Sequence, residues 1–352
     1  MGPTKTPRSA VTGFGESTQA GKPRMLRDTN ILPRAGQKRK VWFAMSNALS
    51  REKKLEVLHH LVEGNTIRST ERLTGVHRDT IMRLMVTFGQ RCKRFMDAKL
   101  RGLTMRHVEC DEIWTFVEKK QARLSPEEKA GRCDVGDVYL WTALDQDTKL
   151  CASFIVGKRS GDNARRLMVD LSHRLVMPKP HQSDPHGYQA GGYVHITQLS
   201  TDAFPAYPEA VDLAFGPYAK FGTIKKDYRN ATQPGRYAPP EMVGTERKGI
   251  FGINEDEERS ICTSHVERHN LTIRTLMKRF TRLSLGFSKK LENLEAACAM
   301  FLAYYNFVRR THDVIGERTR LPAAMAAGVV DRLMSFEDLF DAVMGEGYAM
   351  AA

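Results

Sequence analysis

The spacing of apolar residues changes near residue 104, from intervals of three and four to an alternation of apolar and polar positions. The first spacing is typical of amphipathic helices and the second of strands. We predict one strand within 105–120 and two within 138–157. A helix at 163–175, a fourth strand within 193–202 and a short helix at 203–215 follow. Strands that cluster first and then alternate with helices indicate an α/β domain with a mixed sheet.

The residues before this change are predicted to be helical. Ser50 can cap a first helix that Gly64 ends, and Asn65 can cap a short second helix. Gly75 then makes a turn into a third helix. Two short helices joined at a glycine indicate a helix-turn-helix, although an ordinary three-helix bundle remains an alternative. The recognition helix would offer four side chains to a DNA major groove: His77, Arg78, Thr80 and Arg83.

The charge balance favours a polyanionic partner. Lys and Arg number 54 against 41 Asp and Glu, which gives a formal net charge of +13. Nucleic acid is the first expectation, and an anionic membrane surface is the alternative. Residues 1–40 are basic, rich in Gly, Pro, Ser and Thr, and without periodicity. We expect a flexible arm there, which is either a phosphate-binding tail or a solvated leader.

Hydropathy and cysteine spacing exclude several classes of protein. No apolar run approaches the roughly 20 residues that span a bilayer, and the N-terminus lacks the apolar segment of a signal peptide. We therefore expect a soluble intracellular protein without membrane association. The chain has six cysteines but no CxxC pair, so the sequence indicates neither a zinc ribbon nor a disulfide framework.

Three acidic residues lie where they are costly unless they have a function. Asp111 interrupts an apolar strand, Asp202 ends the fourth strand, and Glu267 is a carboxylate set into a basic helix at 263–282. A buried, unpaired aspartate costs several kcal/mol, and a bound cation can compensate that cost. Carboxylates alone suit Mg²⁺ or Mn²⁺, and two such ions roughly 4 Å apart can act on a phosphodiester.

Zinc chemistry is a weaker explanation of the same helix. His265 and His269 are four residues apart, as in HExxH enzymes. In those enzymes the acid directly follows the first histidine, whereas Glu267 is two places on and rotated by about 200°. The H-x-E triplet of deaminases needs a PCxxC partner, which the chain lacks. We expect both histidines to be surface residues or phosphate contacts.

Neighbouring acids of the first strand are alternatives to Asp111. Glu109 shares a strand face with Asp111 because side chains alternate with a period of two. It is therefore the acid that would replace Asp111 in the site if the register were wrong. Glu112 is predicted to face the opposite side of the sheet.

Cations on the helix that carries Glu267 are suited to DNA. Arg274 follows Glu267 by seven residues and lies within about 20° of the same helix face, where it can hold a phosphate. Lys278 continues this flank, and Arg268 adds a further positive charge. An acid for metal ions and cations for DNA explain this composition better than a solvated face does.

Several motifs together resemble a known family, the DDE transposases of bacterial insertion sequences, close to the branch named after insertion sequence one. The resemblance covers roughly residues 50–345 and follows the family's order of motifs, after a helix-turn-helix. The motifs are "CDEIWTFVEKK", "STDAFPAY", "SHVERHNLTIR", "FSKKLENLEAACAMFLAYYNFVRRTH" and "PAAMAAGVVDRL".

The resemblance implies a ribonuclease-H-like core, with a mixed five-stranded sheet flanked by helices and with Asp111, Asp202 and Glu267 as the acidic triad. It also implies that Asn270 and Arg274 occupy helix positions that support the acid and the DNA. Some relatives carry an N-terminal cysteine zinc motif, which this chain lacks. DNA recognition would then depend on the helix-turn-helix and the basic arm.

We therefore expect four regions. They are a basic arm at 1–40, a helix-turn-helix domain at 41–100, a catalytic core at 101–312 with an irregular insertion near 225–260, and a helical tail at 313–352. The expected function is a DNA transposase that binds terminal inverted repeats, uses two Mg²⁺ or Mn²⁺ ions, and acts in the bacterial cytoplasm. Double-stranded DNA is the expected partner, and a homodimer or larger oligomer is expected on it. A DNA-binding regulator and a nuclease or resolvase without joining activity remain alternatives.

Overall fold

A mixed sheet of six strands organises the catalytic region expected from the sequence. The computed structural model describes residues 48–177, 196–229, 241–281, 284–313 and 320–345. The predicted basic arm at 1–40 lies outside the described residues. From Leu49 onward the described chain forms one compact unit.

The strand order is β3-β2-β1-β4-β5-β6. The strands β1 to β6 cover His107–Val117, Gly136–Asp145, Cys151–Gly157, Thr197–Asp202, Ala219–Arg229 and Glu241–Phe251. β2 runs antiparallel to its two neighbours, β1 and β3, whereas β4 runs parallel to β1 and β5 runs parallel to β4. The predicted α/β class with a mixed sheet is thereby confirmed.

The sheet has a sixth strand where the sequence predicts an irregular insertion. Residues 225–229 complete β5, and β6 pairs antiparallel with it along 241–251. Most of the described part of β6 is exposed, and it contains the run Thr245, Glu246, Arg247 and Lys248. A strand exposed in this way lacks the alternation of apolar and polar residues by which a half-buried strand is recognised. The structure thus has strands instead of the predicted irregular segment at 225–229 and 241–251, whereas residues 230–240 lie outside the described residues.

The three predicted N-terminal helices are present. α1, α2 and α3 cover Arg51–Val62, Ile67–Thr74 and Arg78–Lys99. Ser50 caps α1 as predicted, whereas Thr66 rather than Asn65 caps α2. Gly75 makes the turn between α2 and α3 in the left-handed conformation. That these helices read DNA stays a prediction.

Further helices lie between the strands of the sheet and after them. α4 to α10 cover Pro126–Gly131, Gly161–Arg174, Tyr207–Phe215, Ser264–Leu276, Leu291–Phe307, Ala323–Ala326 and Phe336–Met344. α8 is buried along nearly its whole length and packs against α3. Two short strands, β7 at Arg310–Asp313 and β8 at Arg320–Pro322, form a separate pair. Within the described ranges, no helix is both long and apolar enough to cross a bilayer.

The parallel pair β1 and β4 determines where the predicted acids meet. In the register of this pair, Cys110 lies opposite Thr201. The next residue along β1 is Asp111, and the next along β4 is Asp202. Because the two strands run in the same direction, residues that follow a matched pair are themselves neighbours. The carboxylates of Asp111 and Asp202 therefore lie side by side where β4 ends.

Candidate active site

Three carboxylates meet at the end of β4. One oxygen atom from each of Asp111, Glu112 and Asp202 lies within 4.8 Å of the others. Asp111 and Asp202 are the two aspartates that the sequence singles out. Their separation is short enough for one cation to contact both.

Asp111 is held by two hydrogen bonds. Asn270 Nδ2 of α7 donates to its Oδ2 at 2.7 Å, and the backbone N–H of Glu112 donates to its Oδ1 at 2.8 Å. Burial, together with the negative charges of Asp202 and Glu267, raises the pKa of Asp111 to about 7. Near neutral pH this carboxyl lacks sufficient positive charge around it, which a cation would supply.

Glu112 belongs to the same cluster, although the sequence predicts that it faces away. Its side chain is only 2% exposed. Tyr207 Oη donates to it at 2.5 Å, and Arg159 Nε lies 3.3 Å from its other oxygen. Burial, and then the charge of Asp202, raises its pKa to about 7. The alternation of side chains along a strand predicts the face of the sheet on which a side chain begins. It does not predict where the carboxylate at the end of a long glutamate side chain lies.

Glu267 lies on the wall of the same cleft. It is 45% exposed, accepts a hydrogen bond from Thr263 Oγ1 at 2.8 Å, and forms an ion pair with Lys226 of β5. Asp202 and Glu267 both line this cleft of about 390 Å³. Glu267 stands outside the tight group of three, but its charge contributes to the raised pKa of Asp111. The structure therefore places two of the predicted acids, Asp202 and Glu267, on the wall of one cleft, and the third, Asp111, directly beside Asp202.

Two cations that the sequence reasoning missed pair with these acids. Arg159 follows β3 and donates from Nη2 to Asp202 at 2.8 Å, while its Nε contacts Glu112. Its guanidinium lies over the ring of Phe204, 4.3 Å from the ring centre. Lys226 pairs with Glu267 across the cleft. No sequence signal marks either residue, because their positions follow from the strand order.

Glu109 has a different role from Asp111, two residues away. It is fully buried and accepts hydrogen bonds from the backbone N–H groups of His265 and Val266, each at 2.9 Å. His265 Nδ1 lies 2.6 Å from its other oxygen. A carboxylate at this position caps the N-terminus of α7, where the helix dipole favours negative charge. With both oxygens occupied, Glu109 is a poor substitute for Asp111 in the cleft.

The two histidines of α7 are not the surface pair that the sequence predicts. His269 is 2% exposed and lies against Tyr305, with 4.4 Å between ring centres. Burial lowers its pKa to about 3, so the ring is neutral at physiological pH. His265 and Glu109 could share a metal ion with Cys262 by distance. The hydrogen bonds of Glu109 to α7 favour helix capping there instead.

The residues predicted to contact DNA fall into three groups by exposure. Asn270 is 4% exposed and binds Asp111, so its position suits support of the acid rather than a DNA contact. Arg274 and Thr80 are half-buried. The others are exposed to solvent: His77, Arg78, Arg83, Arg268 and Lys278. DNA binding by these exposed residues stays a prediction.

The donor set at the end of β4 fits a hard divalent cation. Asp111, Glu112 and Asp202 offer only oxygen atoms, which suit Mg²⁺ and Mn²⁺ rather than softer metals. Burial and the negative charge of Asp202 raise the pKa of both Asp111 and Glu112, and Arg159 opposes this shift only at Glu112, so a bound cation would stabilise both carboxylates. Glu267 can add an oxygen from the cleft wall if its ion pair with Lys226 opens.

Comparison with known proteins gives no family assignment. No protein-family model matches this chain, and no curated protein matches it in sequence. The chemistry of the cleft is therefore argued from its own residues: carboxylates with partly compensated charge, two cations paired with them, and an asparagine that orients one acid.

The pH dependence of stability should report the carboxyl cluster. The pKa of Asp111 rises on folding from 3.8 to about 7, so the folded protein keeps a proton that the unfolded chain releases. This contribution to stability is present at low pH and is lost as the pH rises towards 7. The advantage of Asp111→Asn over the wild type should therefore grow between pH 4 and 7 and then level off, as measured by urea unfolding.

The control is Asp147→Asn, which makes the same substitution in the exposed β2–β3 turn, outside the carboxyl cluster. Comparison between variants is needed because neutral His269 has a lowered pKa and gives the opposite slope over an overlapping range. If the difference in the free energy of unfolding between Asp111→Asn and the wild type were constant across this range, it would contradict the raised pKa of Asp111.

Removal of the α7 cap should cost considerable stability. Glu109→Ala leaves two backbone N–H groups of a buried helix end without their acceptor, and we expect a loss of about 3 kcal/mol in the free energy of unfolding. The matched control, Glu246→Ala on the exposed part of β6, should change little. A loss for Glu109→Ala no larger than that of the control would show that the cap is unimportant.

Proposed function

We propose that this protein is a metal-dependent DNA transposase that cleaves and joins DNA strands by phosphoryl transfer. The single observation that carries the proposal is that Asp111 lies beside Asp202, which lines one cleft with Glu267, although the three acids come from two strands and a helix far apart in the chain. These are the residues that the resemblance to DDE transposases implies as the triad. Chance would rarely bring three such acids together against their mutual repulsion.

The sheet supports the proposal. Its first five strands have the order β3-β2-β1-β4-β5, with β2 antiparallel and β4 and β5 parallel to β1. This arrangement is compatible with a ribonuclease-H-like core in which one aspartate lies on the central strand and another at the end of its parallel neighbour. β6 extends the sheet beyond that core.

In this mechanism the protein residues would hold the metal ions and orient their ligands, and no residue forms a covalent bond with the DNA. Asp111 and Asp202 would hold a divalent ion between them, with Asn270 fixing the orientation of Asp111. Glu267 would complete a second ion site from the cleft wall. Divalent ions bound in this way activate the attacking oxygen and stabilise charge on the leaving oxygen.

The bond changes follow from phosphodiester chemistry. In the first step, a water oxygen attacks the phosphorus at the transposon end, and the bond from phosphorus to the 3′ oxygen breaks to leave a free 3′-hydroxyl. In the second step, that 3′ oxygen attacks a target phosphodiester and displaces the target's own 3′ oxygen. The number of phosphodiester bonds is unchanged by joining, so no energy source is needed.

The rest of the chain supports DNA as the substrate. The net charge of +13 suits a polyanion, and exposed cations at the start of α3 suit the reading of terminal inverted repeats. Two transposon ends must be held at once, which calls for a homodimer or larger assembly on DNA. A regulator without catalysis would not need the clustered acids, whose repulsion costs stability.

The decisive experiment is an assay of purified protein with Mg²⁺ and labelled DNA that contains the sequences flanking its gene. We expect nicked and joined products from the wild type. Asp111→Asn, Asp202→Asn and Glu267→Gln should each lower strand joining by about a hundredfold or more, because metal stabilisation of the transition state is worth several kcal/mol. DNA binding should be largely kept, since these residues hold ions rather than the duplex.

Asp147→Asn, in the exposed turn, is the matched control and should join DNA as the wild type does. Full joining by any of the three variants would refute the assignment of that acid. Nicks without joined products from the wild type would instead indicate a nuclease or resolvase.

A further inference from the structure

The candidate cleft contains its own cations. Arg159 reaches Asp202 and Glu112, and Lys226 reaches Glu267. Both cations line the cleft beside the acids that they contact. Between them, they pair with every carboxylate of the cleft except Asp111, which Asn270 holds instead.

Acidic groups outnumber cations at the cleft, and two bound divalent metal ions would reverse this excess of negative charge. Four carboxyl groups, on Asp111, Glu112, Asp202 and Glu267, share two protein cations, so the acids are in excess. Two divalent ions would match the four carboxylates by themselves. Arg159 and Lys226 would then be surplus positive charges within a cleft that must receive a phosphate backbone.

We propose that Arg159 and Lys226 are exchangeable counter-ions: they hold the carboxylates in the metal-free protein and move to DNA phosphates when divalent ions take those carboxylates. This inference rests on the proposed function, because it requires that metal ions and DNA share the cleft. It adds two residues that couple metal loading to DNA binding.

The environment of each cation permits such a move. The side chain of Arg159 is 38% exposed, and that of Lys226 is 18% exposed. Arg159 also lies on the flat face of Phe204, which can keep the guanidinium in the cleft while its hydrogen-bond partners change. A guanidinium binds phosphate through the same paired N–H groups that it uses for a carboxylate.

Arg174 shows how a structural ion pair of this protein differs. Its side chain is only 6% exposed and is held by Asp97 and Asp170, away from the cleft. An arginine buried in this way cannot leave its partners without exposing an uncompensated charge. Arg159 and Lys226 contact solvent, so a change of partner costs them less.

The first test measures Mn²⁺ affinity without DNA, by calorimetric titration of the full chain. Arg159→Gln and Lys226→Gln remove a competitor for the carboxylates. Partly exposed ion pairs are worth up to about 1 kcal/mol, so each variant should bind Mn²⁺ about two- to fivefold more tightly than the wild type. Thermal unfolding of each variant checks that the fold is kept.

Two matched controls remove ion pairs outside the cleft. Arg165→Gln breaks the surface pairs with Asp162 and Glu209, and Lys220→Gln breaks the pair with Glu257 on the same strand as Lys226. Neither should change the affinity for Mn²⁺ by as much as the cleft variants do. Each of the four variants, two in the cleft and two controls, removes one positive charge from the chain. A difference in Mn²⁺ affinity between them therefore reports the position of that charge.

The second test measures binding of a short duplex of arbitrary sequence by fluorescence anisotropy, with and without Mn²⁺. Phosphate contacts do not depend on sequence, so such a probe reports them. Mn²⁺ should strengthen DNA binding by the wild type, and Arg159→Gln and Lys226→Gln should each lose part of that gain. Without Mn²⁺, both variants should bind DNA as the wild type does.

The outcomes separate this inference from the proposed function. If the wild type binds Mn²⁺ and joins DNA, but Arg159→Gln and Lys226→Gln bind Mn²⁺ no more tightly, the exchange is wrong and the proposed function stands. Tighter Mn²⁺ binding with an unchanged DNA gain would refute the move to phosphate. Failure of the wild type to bind Mn²⁺ at all would overturn both proposals.

Discussion

The parallel pairing of β1 with β4 is the constraint on which the candidate site depends. It places Asp111 next to Asp202, so that the two carboxylates lie close together despite their repulsion. The backbone hydrogen bonds and buried core of the sheet offset that repulsion, which appears in the raised pKa of Asp111. Stability is thus lower at neutral pH than it would be with uncharged residues, as is common where a protein keeps a functional cluster.

The same strand also positions the helix that carries the third acid. Glu109 caps the first turn of α7, and Asn270, farther along α7, binds Asp111. β1 and α7 are therefore joined at two points, on either side of Glu267. Glu109 and Asp111 have the same chemistry and the same strand face in the sequence, but one is saturated by helix N–H groups and the other lies at the cleft. Helix capping thus explains why two similar acids have different roles.

Much of this arrangement could be predicted from the sequence. Asp111 and Asp202 are recognisable because an aspartate in an apolar strand contradicts the propensity of its surroundings, and Glu267 because it interrupts a basic helix. Arg159 and Lys226 carry no such contradiction, since charged residues are ordinary after a strand or towards its exposed end. Glu112 lies beside Asp111 in the same apolar strand, but the alternation of side chains predicts that it faces the opposite side. Their contacts depend on the strand order and on side-chain reach, which local patterns do not encode. The sixth strand was missed for a related reason: β6 is mostly exposed and lacks an apolar alternation.

A crystal of the protein soaked in Mn²⁺, with anomalous scattering recorded to locate the ions, tests the central claim most directly. The account predicts one ion between Asp111 and Asp202 at about 2.1 Å from their oxygens, and a second within about 4 Å of it, reached by Glu267. Arg159 should then have left Asp202. A cleft without anomalous density at saturating Mn²⁺, or density only beside Glu109, Cys262 and His265, would contradict the account.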